Sequence, residues 1–333
     1  MSRTAPLSRT RDSLDDPSPR QMAFATVGDV FERHGFCPWE MPAFERLEVL
    51  VGKYGEDAPG ILSEMLHRTC EQGTGEPGLA LRHHHMIPLP QAMGSYEAKL
   101  SRPCKRYSIG PVWRAEPAGE GRFREFVQCD IDTVGSASPL ADAEIVHALA
   151  DALAALGVER YRFLVNSRQA LRGLLQIPGV DEENSDGVLG TLNRLNKVGI
   201  EAVEKELVDE HGLDRMTAQH LVDDLASEDP GPVRSRIARN ERGRLGLSQI
   251  DCLLELTADL GDRIGFAPHM MYGADHDTGA VYQVEAEGHL GSIASGGRHD
   301  GLITSLGGPD MPACGGSIDI ERILARRNTA PAP

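Results

Sequence analysis

The chain has 333 residues, of which 40% are hydrophobic and 25% charged, and a formal net charge of −16. That length suits one large core carrying an insertion, and no apolar run approaches the ~20 residues needed to cross a bilayer. The acidic balance repels phosphate backbones on average, which excludes extensive nonspecific nucleic-acid binding but leaves room for a local basic groove.

Residues 1–20 are polar and interrupted by Pro6, Pro17 and Pro19, with no apolar stretch of signal-peptide type. They read as a flexible segment of a cytoplasmic protein. Cysteines 37, 70, 104, 129, 252 and 314 form no C-x-x-C pair, so reduced thiols are expected rather than disulfides or a zinc ribbon. Met22, Val27, Val30 and Phe31 recur at helical spacing before Gly35, a stop signal, and the extended stretch Phe36 to Phe44 follows. Strand-like pieces at Leu79–Arg82, Lys105–Trp113 and Phe126–Thr133, with a turn-rich loop from Pro117 to Gly121, predict an antiparallel sheet with a long hairpin. Ser138 and Pro139 open an Ala/Leu-rich helix that ends near Leu156 and Gly157. From Leu171 to Gln249 the pattern is helical and rich in charge of both signs, broken at Pro178-Gly179 and at Pro230-Gly231-Pro232. Short strands return between Ile264 and Ile293, and Met311 to Arg327 reads as a strand and then a helix. The expected organisation is an α+β core, 21–165 and 250–327, with a helical insertion, 166–249, and a disordered tail, 328–333.

The most specific text is Arg114-Ala115-Glu116, a loop, and then Arg122-Phe123-Arg124-Glu125-Phe126-Val127-Gln128-Cys129-Asp130-Ile131-Asp132. Arginines, an acid and an aromatic ring on two strands flanking a hairpin loop suit a nucleoside triphosphate. A charged surface hairpin would contain the same residue types.

The segment resembles motif 2 of histidyl-tRNA synthetases, whose usual text is close to R-G-R-Y-R-E-F-Y-Q-C-D-F-D. Thr10-Arg11-Asp12-Ser13-Leu14 is similar to that family's G-T-R-D opening, and Phe31 to Glu45 resembles its motif 1, with Gly35 and Pro42. Gly296-Gly297-Arg298-His299-Asp300-Gly301-Leu302 resembles its G-G-G-R-Y-D-G-L, and Gly315 to Leu324 its motif 3. Asn193-Arg194-Leu195-Asn196-Lys197 is similar to its D-K-L-D-K. The resemblance implies a class II synthetase fold, an antiparallel sheet flanked by helices, and a homodimer formed through motif 1. It also implies ATP and magnesium: Arg114 and Arg322 on phosphates, Arg122 beside them, Glu116 near the adenine or a magnesium ion, and Phe126 stacked on the base. Carboxylate attack on the α-phosphate would then rest on positioning and charge neutralisation.

The departures fall on the amino-acid side. Where the family reads close to R-P-E-G-T, this chain has Arg82-His83-His84-His85-Met86, so the acid that holds the substrate ammonium becomes His84 and the threonine becomes Met86. The family's R-G-L-D-Y-Y-T-G becomes Tyr272-Gly273-Ala274-Asp275-His276-Asp277-Thr278-Gly279, with Tyr272 in place of its catalytic arginine and Asp277 in place of a tyrosine that contacts imidazole. His299 replaces another tyrosine, while Gln128 and Asp132, which in the family face amine and imidazole, are retained. As a strand, residues 82–86 would point His84 with Arg82 and Met86 into the pocket. His84, His276, Asp277 and His299 then make a candidate zinc site, the alternative being histidines that recognise an anionic or polar substrate.

The sequence therefore predicts an ATP-dependent ligase that activates an amino acid or related carboxylic acid other than ordinary histidine. Its acceptor would be a small molecule, a carrier protein or a tRNA end; no membrane is involved. The chain stops soon after Arg322, without the family's anticodon-reading domain, so conventional tRNA charging is not expected. Two alternatives stand beside this: a non-catalytic regulator resembling that of ATP phosphoribosyltransferase, and a histidine–tRNA ligase lacking its anticodon domain.

Overall fold

A computed structural model of the chain describes residues 18–46, 79–86, 88–96, 100–114, 124–227, 229–271, 277–289 and 291–327. Helix α1, Ser18–Arg33, buries Val27, Val30 and Phe31 and ends at Gly35, which takes a φ of +80° that a side chain would disfavour. The extended stretch after it is not one strand. Strand β1, Cys37–Pro38, pairs with the hairpin sheet, whereas β2, Phe44–Arg46, pairs antiparallel with β3, Leu79–Leu81. Helix α2, Leu89–Tyr96, follows. The hairpin consists of β4, Cys104–Trp113, and β5, Glu125–Val134. Helix α3, Pro139–Ala155, starts as its sequence requires: the Ser138 hydroxyl accepts from the Leu140 N–H at 3.3 Å and proline stands at the first position.

Strand β6, Tyr161–Ser167, leads into the helical region. Its helices are α4, Arg168–Gln176; α5, Glu182–Leu192; α6, Leu195–Val198; α7, Ile200–Asp209; α8, Arg215–Ala226; α9, Gly231–Ile237; and α10, Glu241–Leu256. Strands β7, Ile264–Phe266, β8, Ala280–Ala286, and β9, Ala294–Arg298, return to the sheet. Helix α11, Leu302–Ser305, strand β10, Ala313–Asp319, and helix α12, Ile320–Arg327, complete the described chain. No described helix is long and apolar enough to cross a membrane.

The main sheet has the order β1-β4-β5-β10-β9-β8-β6-β7. The six inner strands are antiparallel, and β1 and β7 add parallel edges, so the sheet is mixed. One face is covered by α1, α3, α10 and α12 over a core that includes Cys129, Ile131, Leu149, Phe163 and Tyr282. The other face carries two apolar clusters. Met41, Met86, Leu89, Val134, Ile303 and Met311 form the first, and Leu164, Ala267, Met270 and Val281 the second. A row of polar side chains lies between them.

Helices α4 and α10 touch at backbone distance. A Cβ on Gly246 would sit 2.1 Å from the Ala170 nitrogen and 2.6 Å from its Cα. Neither neighbour is a flexible side-chain tip, so Gly246→Ala is expected to lower stability by about 2–3 kcal/mol, read as an earlier denaturant midpoint with unchanged slope. An unshifted midpoint would show that the two helices separate at little cost.

Candidate active site

The polar row follows from strand register. On β5, Gln128, Asp130 and Asp132 alternate with Val127, Cys129 and Ile131; the apolar set faces the helices and the polar set the opposite side. Pairing places Ser108 of β4 and Ser317 of β10 on either side of Asp130, with Ser295 of β9 and Gln283 of β8 continuing the line. Arg106 and Gly315 flank Asp132 in the same way.

Arg106 and Asp132 form an ion pair at 2.6 Å, with both side chains 1% exposed. Burial pushes the Asp132 carboxyl up to about 6, Arg106 pulls it down and Asp130 adds repulsion. Arg106 also donates to the His85 carbonyl at 3.2 Å. His85, fully buried, is held between Ser108 (Nδ1 to Oγ, 3.1 Å) and the Gly110 carbonyl (Nε2 to O, 3.1 Å). Burial lowers its basicity first, and the nearby arginines lower it further.

The segment expected to run as a strand through Arg82 to Met86 bends and turns instead. Arg82 donates to the carbonyls of Met41, Pro42 and Pro111, and Met86 packs in the apolar cluster with Leu89 and Met93. Only His84 of the three reaches the polar row, with Nδ1 3.4 Å from Asp130 Oδ2. Met86 is therefore core and not pocket lining, because α2 begins at once after it and draws it inward.

The described residues give the zinc expectation no support. Among the described residues no three His, Cys, Asp or Glu side chains are grouped to hold a metal ion. His84 meets Asp130 on β5, whereas His299 follows β9, with its N–H donating to the Ala313 carbonyl at 2.8 Å. Asp277 is half-buried just before Thr278, whose N–H donates to the Arg298 carbonyl. Tyr272 and His276 lie outside the described residues, as do Glu116 and Arg122.

A second group gathers at the other end of β5 and β10. Arg322 is fixed by Asp319 (Nε to Oδ2, 3.0 Å) and by the Ser292 carbonyl (2.5 Å). Arg114 lies with its guanidinium carbon 5.0 Å from the centre of the Phe126 ring and donates to the His83 carbonyl at 3.3 Å. Burial raises the Asp319 carboxyl, and Arg322, bonded to it, and Arg114 both pull it down. Such a pair beside an aromatic ring suits the phosphates and base of a nucleotide. Arg298 has a different task. It donates to Asp142 at 2.6 Å and to the carbonyls of Ser136 and Ser138, tying β9 to the start of α3.

Asp130, Arg106, His85 and Ser317 are the members of this site that residue-by-residue reading passes over. Strand periodicity could have found Asp130, since it shares a face with Gln128 and Asp132. Ser317 becomes its neighbour only through pairing across more than half the chain.

A sheet of this order, with paired arginines at one end and buried polar groups on one face, defines a class II synthetase fold. The solved histidyl-tRNA synthetase from Nostoc matches it with a TM-score of 0.80 at 26% identity, covering 98% of this chain and 75% of that one. A structure described as an ATP phosphoribosyltransferase regulatory subunit/histidyl-tRNA synthetase from Bacillus halodurans shares the fold at 19% identity, with a TM-score of 0.80 over 98% of this chain and 84% of the other. The histidyl-tRNA synthetase family model matches residues 15–323. A histidine–tRNA ligase of Gloeobacter violaceus is 35% identical over 95% of this chain and 73% of its own length. One from Aeropyrum pernix is 38% identical over 92% and 69%. The chain belongs to the histidyl-tRNA synthetase family.

Proposed function

We propose that the chain is an ATP-dependent, adenylate-forming ligase acting on an amino acid or related carboxylic acid other than ordinary histidine. The observation that carries this reading is the placement of Arg114, against the Phe126 ring, and of Arg322, held by Asp319, at the same end of the paired strands that hold the buried polar row. The acid's carboxylate would attack the α-phosphate of magnesium-bound ATP and release pyrophosphate, after which the acyl group passes to a small molecule, a carrier protein or a tRNA end. Charge neutralisation by the arginines supplies the catalysis, and no general base is needed. The changes at His84, Asp277 and His299 support a substrate other than histidine.

Pyrophosphate exchange with a panel of acids tests the reading. Exchange with at least one acid and only feeble exchange with histidine are expected, whereas histidine-dependent exchange at a rate ordinary for a synthetase would remove the altered specificity. No ATP binding and no exchange with any acid would leave the regulatory reading, which the shared fold of the Bacillus halodurans protein supports. A homodimer is part of the proposal, and light scattering at 36.1 kDa rather than twice that mass would end it.

With Asp132 titrating at about 6, the site is fully acidic at neutral pH and loses one negative charge on mild acidification. Exchange should therefore fall as pH drops through about 6, and Asp132→Asn should lack that step in whatever activity it retains. An identical acid limb in the variant would assign the step to another group.

A further inference from the structure

Both carboxylates of the polar row are engaged. Asp132 pairs with Arg106 at 2.6 Å. Asp130, 1% exposed, is met by His84, whose Nδ1 lies 3.4 Å from its Oδ2, and by the Ser317 hydroxyl, which is bonded to it. Burial by itself would raise the Asp130 carboxyl, but His84, His85, Ser317 and Arg106 outweigh it and hold the group below its ordinary value. Arg82 and Arg106 both act on Asp130 as permanent cations, so two guanidiniums balance the two carboxylates before any histidine is counted. Asp277, the acid at another changed position, adjoins Thr278, which donates to the Arg298 carbonyl on β9, two strands from β5. Of the pair His84 and Asp130, the imidazole is 26% exposed and the carboxylate 1%, so an entering ligand meets the imidazole. An ammonium group brought into this row would lose its hydration and find no uncommitted negative charge. Gln128, 7% exposed, is a neutral member of the row, and its Oε1 has no donor among the described residues. An amide N–H or a hydroxyl would supply one without bringing a charge.

We propose that the acid activated at this site carries no ammonium beside its carboxylate, its α-nitrogen being acylated or absent. In the family an acid at the position of His84 holds the substrate amine; here that position carries an imidazole set against Asp130. One replacement therefore removes a negative charge from the row and covers another. This substrate class rests on the ligase reading, in which the polar row receives the acid to be activated.

Thermal stabilisation of the intact protein is the test, with two probes. One is an equimolar mixture of the proteinogenic amino acids; the other is a mixture of their N-acetylated and deaminated counterparts. The wild type should reach the same shift at a roughly tenfold lower concentration of the second mixture, the ratio expected when a charge is buried without a partner. His84→Glu should reverse the order, since a carboxylate there restores a partner for the amine. Should H84E fail to fold, the wild-type comparison decides alone. Equal or better stabilisation of the wild type by the free amino acids, no response to either mixture, or a folded H84E that keeps the wild-type order overturns the proposal. Pyrophosphate exchange separates its fate from that of the ligase reading. Exchange driven by free amino acids alone keeps the ligase and removes the amine-free substrate, whereas preferential stabilisation by the second mixture without exchange with any acid does the reverse.

Discussion

Arg106→Met should destabilise the protein by about 3–5 kcal/mol at neutral pH, the usual cost of stripping one partner from a buried ion pair. The side chains of Arg106 and Asp132 are each 1% exposed and lie 2.6 Å apart, so without the guanidinium the carboxylate keeps its desolvation and loses its compensation. The variant also removes the donor to the His85 carbonyl, which helps hold the Arg82 to Met86 turn against β4. The penalty has a pH signature. Asp132 already titrates at about 6 in the folded chain, above its ordinary 3.8, and Arg106 is what keeps it from rising further. A carboxyl raised on folding makes the folded state bind more protons than the unfolded one, so stability falls as pH rises from the unfolded value to the folded one. Removing Arg106 extends that falling limb upward, and the variant should be weakened less at pH ~5 than at pH ~8. Denaturant melts across this range check both statements. A pH-independent effect below about 1 kcal/mol would mean that water or another cation replaces Arg106.

Arg322→Ala should weaken ATP binding by about 2 kcal/mol, roughly thirtyfold, the range for removing a charge-assisted hydrogen bond from a partly closed site. Asp319 and the Ser292 carbonyl fix the guanidinium before any ligand arrives, so little ordering cost accompanies phosphate binding. Arg114→Ala should weaken binding by a similar amount and also uncover Phe126, whose ring now lies against the Arg114 guanidinium. Because both arginines would contact one nucleotide, the double variant should fall short of the sum of the two single effects. Calorimetry with magnesium and ATP reads each constant. Unchanged affinity in both single variants would take the nucleotide away from this end of the sheet.

Local features were legible where the cause is local. The Ser138 cap, Pro139 and Gly157 fix α3 because each acts on neighbouring backbone, and the structure places that helix at Pro139–Ala155. Strands β4, β5 and β10 follow the expected stretches to within a few residues; on β4 alternating burial, and on β5 the alternation of polar and apolar residues, leaves its period in the text. The turn at Arg82 to Met86 was illegible: three consecutive histidines carry no period, and the adjoining helix α2 decides their conformation. The extended stretch from Phe36 to Phe44 also divides, since Phe36 is buried within its own chain while Phe44, 54% exposed, lies on β2, which pairs away from the main sheet.

By itself the sequence determined the family, the hairpin with its Arg114 and Phe126, the terminal strand and helix with Arg322, and the alternation that puts Gln128, Asp130 and Asp132 on one face. These are properties of residue order over short spans, or of text shared with relatives. Tertiary structure alone decided which partner each carboxylate meets. Asp132 and Asp130 differ by two positions on one strand, yet one meets Arg106 and the other meets Ser317, because β4 and β10 pair on either side in a particular register. Register is fixed by burial on both faces of the sheet, a long-range condition that no window of neighbouring residues contains.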